Sequence, residues 1–110
     1  MDDFTEKIAR DVINVAVNVH KAIGPGLLES AYKECMFYEL IQNGLKVEKE
    51  KQIPLFYKEI SLDCGYRADL VVENKILLEL KSIEELTKIH LAQMLTYLRI
   101  GGYRLGFLIN

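Results

Sequence analysis

Seven consecutive residues, Ile76-Leu77-Leu78-Glu79-Leu80-Lys81-Ser82, constrain the fold more than any other stretch of this 110-residue chain. Four of the first five are apolar, so the segment is expected as a central strand covered on both faces. Side chains alternate along a strand, which places Leu78 and Leu80 on one face and Glu79 and Lys81 on the other. An acid and a base in a partly buried place each need a partner, because an unpaired buried charge is costly.

The preceding segment, Tyr66 to Val72, reads as another strand, and Glu73-Asn74-Lys75 as a tight polar turn. A hairpin centred on that turn puts Asp69 and Glu79 each five residues from Asn74 and near one another. Two adjacent carboxylates repel unless a proton or a cation sits between them. Hard oxygen ligands in this number suit Mg²⁺ or Mn²⁺. The alternative is a cross-strand salt bridge in which Lys81 neutralises Asp69 or Glu79.

The rest of the chain supplies the covering layers. Phe4, Ile8, Val12, Val15, Val19 and Ile23 recur at spacings of three and four, the stripe of an amphipathic helix. Asp3 and Glu6 are expected at its start, and Gly24-Pro25-Gly26 at its end. A second helix is expected from Leu28 to Gln42, closed by Asn43-Gly44. Val47 to Tyr57 reads as a solvent-facing strand, at an edge or interrupted at Pro54, and Ile60 to Leu62 as a short strand. Glu84 to Ile100 reads as a helix with Leu91, Met94, Leu95 and Leu98 as its apolar stripe. Gly101-Gly102 ends it, and Tyr103 to Ile109 is the last strand. With the short Ile60–Leu62 segment set aside, the order α-α-β-β-β-α-β describes an α/β, mixed-sheet architecture flanked by helices.

At this length residues 1–110 fit one domain with one core. Half the residues are apolar and 27% charged, too hydrophobic a mix for disorder. No apolar run reaches the roughly 18 residues of a membrane span. The acidic start Met1-Asp2-Asp3 does not resemble a signal peptide, so a cytoplasmic location is expected. Cys35 and Cys64 have no Cys or His at metal-finger spacing and are expected as reduced thiols. A net charge of −2 argues against a protein that lives on nucleic acid through a general basic surface. It leaves room for an enzyme that binds nucleic acid transiently, with its acids gathered around metal ions.

Two further patterns accompany the carboxylate strands. Gly26-Leu27-Leu28-Glu29-Ser30-Ala31-Tyr32 opens the second helix, with Glu29 and Tyr32 on one face near the positive end of the helix dipole. Read alone, Glu29 is a first-turn acid that the dipole favours. His90, Gln93 and Tyr97 recur at helical spacing as a polar stripe on the last helix. Gln93 and Tyr97 can donate hydrogen bonds to a phosphate or a carboxylate, whereas His90 reads as a solvated residue.

Taken in order, these pieces resemble a known family. Asp69…Glu79-Leu80-Lys81 resembles the core of the PD-(D/E)XK nuclease superfamily, and Gly26-x-x-Glu29-x-x-Tyr32 resembles the signature of its GxxExxY branch. The likeness runs from the first helix to the last strand, although Arg67-Ala68-Asp69 lacks the proline of the superfamily motif. It implies a restriction-endonuclease-like core and hydrolysis of phosphodiester bonds in nucleic acid, DNA foremost. Asp69 and Glu79 would bind one or two Mg²⁺ or Mn²⁺ ions, joined by Glu29 and the Leu80 carbonyl. Lys81 would orient or deprotonate the attacking water, and Gln93, Tyr97 and Tyr32 would position substrate. The competing reading is a non-catalytic interaction or nucleic-acid-binding module on the same fold. Through its edge strand such a module would form a homodimer or dock on a larger nuclease or helicase.

Overall fold

The computed structural model describes residues 2–110 and contains three helices and six strands in that range. Helix α1 spans Asp3–Ile23 and buries Ile8, Val12, Val15 and Val19, each side chain contributing roughly 1.5–3 kcal/mol before the entropy of ordering. Its cap is Asp2, one residue ahead of the expected Asp3, because the Asp2 carboxylate accepts from the Thr5 amide at 2.7 Å. Gly24, at φ 69, stops the helix in a conformation that a side chain would strain. Helix α2, Glu29–Gln42, packs against α1 and buries Met36 and Leu40.

Strands β1 (Val47–Gln52), β4 (Arg67–Val72), β5 (Ile76–Leu80) and β6 (Leu105–Ile109) form one sheet in the order β1-β4-β5-β6. The first two pairings are antiparallel, and β6 is parallel to β5. The expected strand from Val47 to Tyr57 divides at Ile53-Pro54, where proline has no amide to donate. Its second part, β2 (Leu55–Tyr57), pairs with β3 (Ile60–Leu62) as a separate hairpin. Phe56, Tyr57 and Ile60 are mostly exposed on it.

Each face of the four-stranded sheet carries its own apolar layer. Leu70, Val72, Ile76, Leu78 and Leu80 pack under α1 and α2, with Cys35 at the margin of that layer. Val71 and Leu77 pack with Ile53 and Met94 on the other face, under helix α3, Lys88–Gly101. Helix α3 starts four residues later than expected from the sequence. The Thr87 amide donates to His90 Nδ1 at 2.9 Å, so His90 closes the cap instead of lying on a solvated stripe.

The apolar stripe of α3 also differs from expectation. Met94 is buried and Tyr97 and Leu98 pack on the sheet, but Leu91 and Leu95 are each 54% exposed. The close approach that selects this face lies at Gly106 of β6. A Cβ there would meet Met94 Sδ at 2.8 Å and Leu98 Cδ2 at 2.9 Å, so glycine lets the helix settle with those two side chains inward.

Candidate active site

The β4–β5 ladder pairs Val72 with Ile76, Val71 with Leu77 and Leu70 with Leu78, which centres the hairpin on Asn74. Positive φ at Glu73 and Asn74, with Lys75 N donating to Val72 O at 3.0 Å, gives the tight turn that this register needs. The next pair would be Asp69 with Glu79, and there the ladder changes character. The Asp69 amide donates to Glu79 Oε1 at 3.1 Å, and the Leu80 amide donates to Asp69 Oδ2 at 2.8 Å. Side-chain carboxylates thus stand where backbone carbonyls stand in a regular ladder.

This exchange brings two acids together in a nearly dry place. Glu79 is only 8% exposed. Burial above all, then the neighbouring negative charge of Asp69, pushes its carboxyl up from 4.5 to about 8, against the pull of the Asp69 amide and of Lys81. At neutral pH the pair therefore has a strong appetite for a proton or a cation.

Other side chains surround the pair. Tyr97 of α3 has its hydroxyl held above the ordinary value, first by burial and then by the charges of Glu79 and Asp69. Its ring meets Tyr66 edge-on, with centroids 5.7 Å apart. On the side of α2, Lys33 is ion-paired with Glu50 and lies within the field of Asp69. Neither Lys33, Glu50 nor Tyr66 was expected from the sequence at this place. Lys33 had a signal, since it falls one helical turn after Glu29. Glu50 had none, because the pairing of β1 with β4 spans an intervening hairpin.

The remaining sequence candidates are placed less directly. Glu29 is the first residue of α2 and is exposed. Among the described residues no group of three or more His, Cys, Asp or Glu side chains converges on a metal-sized space, so Glu29 is not brought up to Asp69 and Glu79. Tyr32 is committed elsewhere: its hydroxyl donates to Gly24 O at 2.6 Å and accepts from Leu27 N at 3.4 Å, bracing the turn between α1 and α2. Ser82 Oγ donates to Leu27 O at 2.5 Å, which ties that turn to the end of β5. Gln93 is exposed on α3, one turn ahead of Tyr97. Leu80 is drawn to the pair through its amide.

The donor set suits a hard divalent cation. Two abutting carboxylates, one with strongly raised proton affinity, offer oxygen ligands to an ion that keeps several waters and is held by one or two carboxylates. No helix among the described residues is long and apolar enough to cross a membrane.

A family model described as the PD-(D/E)XK nuclease superfamily matches residues 6–110. None of the curated proteins and none of the solved structures matches the chain. The mixed sheet flanked by helices is consistent with the restriction-endonuclease-like fold of that superfamily, whose nucleases generally use divalent metal ions. The match spans nearly the whole chain, and the chain belongs to the PD-(D/E)XK nuclease superfamily.

Proposed function

We propose that this protein is a Mg²⁺- or Mn²⁺-dependent phosphodiesterase that cleaves nucleic acid, DNA foremost, and that it is of the GxxExxY type by the Gly26-x-x-Glu29-x-x-Tyr32 pattern. The observation that carries the proposal is the break in the β4–β5 ladder, where Asp69 and Glu79 meet with Lys81 beside them.

The chemistry follows from these groups. Asp69 and Glu79 would hold the cation, the amides of Leu80 and Asp69 fixing one oxygen of each carboxylate. A divalent ion bound there supplies a water of lowered pKa and neutralises charge on the phosphoryl group. Lys81, next but one to Glu79 on the strand, orients the attacking water and meets the charge that develops on phosphate oxygens. The Tyr97 hydroxyl, which feels the charges of both acids, would donate to a carboxylate or to the substrate backbone, with Gln93 one turn away for a second contact.

The test is cleavage of single- and double-stranded DNA and RNA with Mn²⁺ or Mg²⁺. Wild-type protein is expected to cut, and Asp69→Ala and Lys81→Ala to lose roughly 10³-fold or more in rate. Cleavage that persists in both variants would place the activity outside this site. The exposed apolar hairpin β2–β3 favours a second reading, a docking module without catalysis. That reading takes over if calorimetry detects no Mn²⁺ binding and no substrate is cut.

A further inference from the structure

Glu50, Asp69 and Glu79 lie in one row across three neighbouring strands. The pairs Lys49–Leu70 and Lys51–Ala68 bracket Glu50 opposite Asp69, and the hairpin register carries the row on to Glu79. Carboxylates on adjacent strands, about 4.8 Å apart, repel in a partly dry setting. Two of the three stay in the site, the Glu79 carboxylate held by the Asp69 amide and the Asp69 carboxylate by the Leu80 amide. The third leaves the row.

Strand β1 removes it by a local distortion. Glu50 has φ 52, left-handed backbone that is rare for a non-glycine residue within a strand. The alternation of faces breaks at the same point. Lys49 bonds Glu34 and lies over Phe37, both on α2, whereas Lys51 lies over Tyr103 on the α3 side. On β4 the same switch separates Leu70, in the α1–α2 layer, from Ala68, in the α3 layer. The Glu50 carboxylate is thereby delivered to Lys33.

Lys33 is the shielded member of this ion pair, with its side chain 20% exposed against 49% for Glu50. Its ammonium is held above the ordinary value first by the Glu50 hydrogen bond and, further down, by the charge of Asp69. One lysine is thus paired with an acid outside the site while feeling the charge of an acid inside it. A phosphodiester strand approaching two carboxylates on a chain of net charge −2 needs fixed cations on its path. Lys81 provides one just past the end of β5. An ion pair whose carboxylate is half exposed is worth little, so a phosphate oxygen can replace Glu50 without a large loss.

We infer that Lys33 is a substrate-positioning residue that binds a non-bridging phosphate oxygen on the α2 side of the site, and that Glu50 is the intramolecular carboxylate holding it there while no phosphate is bound. The inference rests on the nuclease reading above and adds a strand contact to it.

The experiment is fluorescence anisotropy of labelled single-stranded and duplex oligonucleotides, with Ca²⁺ in place of Mg²⁺, across a salt series. Lys33→Ala is expected to weaken binding roughly tenfold and to flatten the log K against log salt slope by about 0.7–0.9, the signature of one lost phosphate contact. Lys33→Arg restores both. Glu50→Gln, which frees the lysine, binds as tightly as wild type or more tightly, with an unchanged slope. An unchanged slope in Lys33→Ala overturns the inference. So does Glu50→Gln weakening binding as Lys33→Ala does, since that marks the pair as merely structural. If wild-type protein binds no oligonucleotide, the nuclease reading falls with it; if wild type binds and Lys33→Ala is indistinguishable from it, this inference alone falls.

Discussion

The two ends of the β4–β5 pair are built from the same two strands and differ in what completes their hydrogen bonds. At the Asn74 end the ladder is regular, with Leu70, Val71 and Val72 facing Leu78, Leu77 and Ile76, all fully buried. At the other end carboxylates take the place of carbonyls, and the neighbouring side chains are tyrosines and lysines. The first end gains stability from apolar burial and backbone pairing together. The second gives up part of the pairing to hold two like charges close. The contrast shows how a small sheet confines its charge conflict to one end while its other end keeps the strands in register.

That contrast can be broken at its stable end first. Leu78→Ala removes a fully buried side chain and is expected to lower unfolding free energy by about 2–5 kcal/mol, measured by urea denaturation. Cleavage per folded molecule should change little, because Leu78 lies on the α1–α2 face, away from the carboxylate pair. A large fall in activity at full folding would mean that the two ends are not separable.

The second prediction concerns pH and has a definite sign. Glu79 is raised in the folded protein from 4.5 to about 8, so between those values the folded state holds a proton that the unfolded state has released. Its contribution to stability is complete below pH 4.5 and is lost as pH rises toward 8. Metal-free protein should therefore be less stable at pH 8 than at pH 5.5, by about 2–4 kcal/mol. Glu79→Gln should abolish most of that slope in chelator, and Mn²⁺ should restore stability to wild type at pH 8 by taking the place of the proton. Equal slopes in wild type and variant would remove the charge conflict from this end of the hairpin.

The smallest effect is expected at Tyr97. Tyr97→Phe deletes the hydroxyl beside the pair and keeps the ring against Tyr66. A threefold to tenfold loss in single-turnover rate is expected, about 1 kcal/mol, with stability nearly unchanged. No loss of rate would assign the hydroxyl to packing and leave Lys81 as the main donor beside the carboxylates.

What the sequence revealed follows from how local each contact is. The hairpin centred on Asn74 was legible because its turn and both apolar runs lie within fifteen residues, and that register alone brings Asp69 to Glu79. The row that adds Glu50 was not legible. Its pairing crosses β2, β3 and the loop before Tyr66, and no local pattern fixes the register of β1 against β4. Helix α3 misled in two ways. Glu84 and Glu85 resemble an acidic first turn, although the cap forms at Thr87 and His90. Leu91 and Leu95 complete a plausible stripe, yet the glycine in β6 sets which face packs. Tyr32 could have served substrate or loop equally well by spacing; only its contact with Gly24 distinguishes the two.

The Ser82–Leu27 hydrogen bond joins residues 55 positions apart, whereas Asp69 and the Glu79 carboxylate are 10 apart. Closing a loop becomes entropically harder as it lengthens, and distant pairings slow folding. In a refolding chain the hairpin with its two acids is thus expected to collapse early, well before α2 is latched against the end of β5 and Lys33 arrives. The half-made molecule would carry the anionic core of the site without the lysine on its α2 side. For the nuclease proposed above, hydrolysis would then return only with the slowest tertiary closure, which makes recovery of activity a clock for the last step of folding.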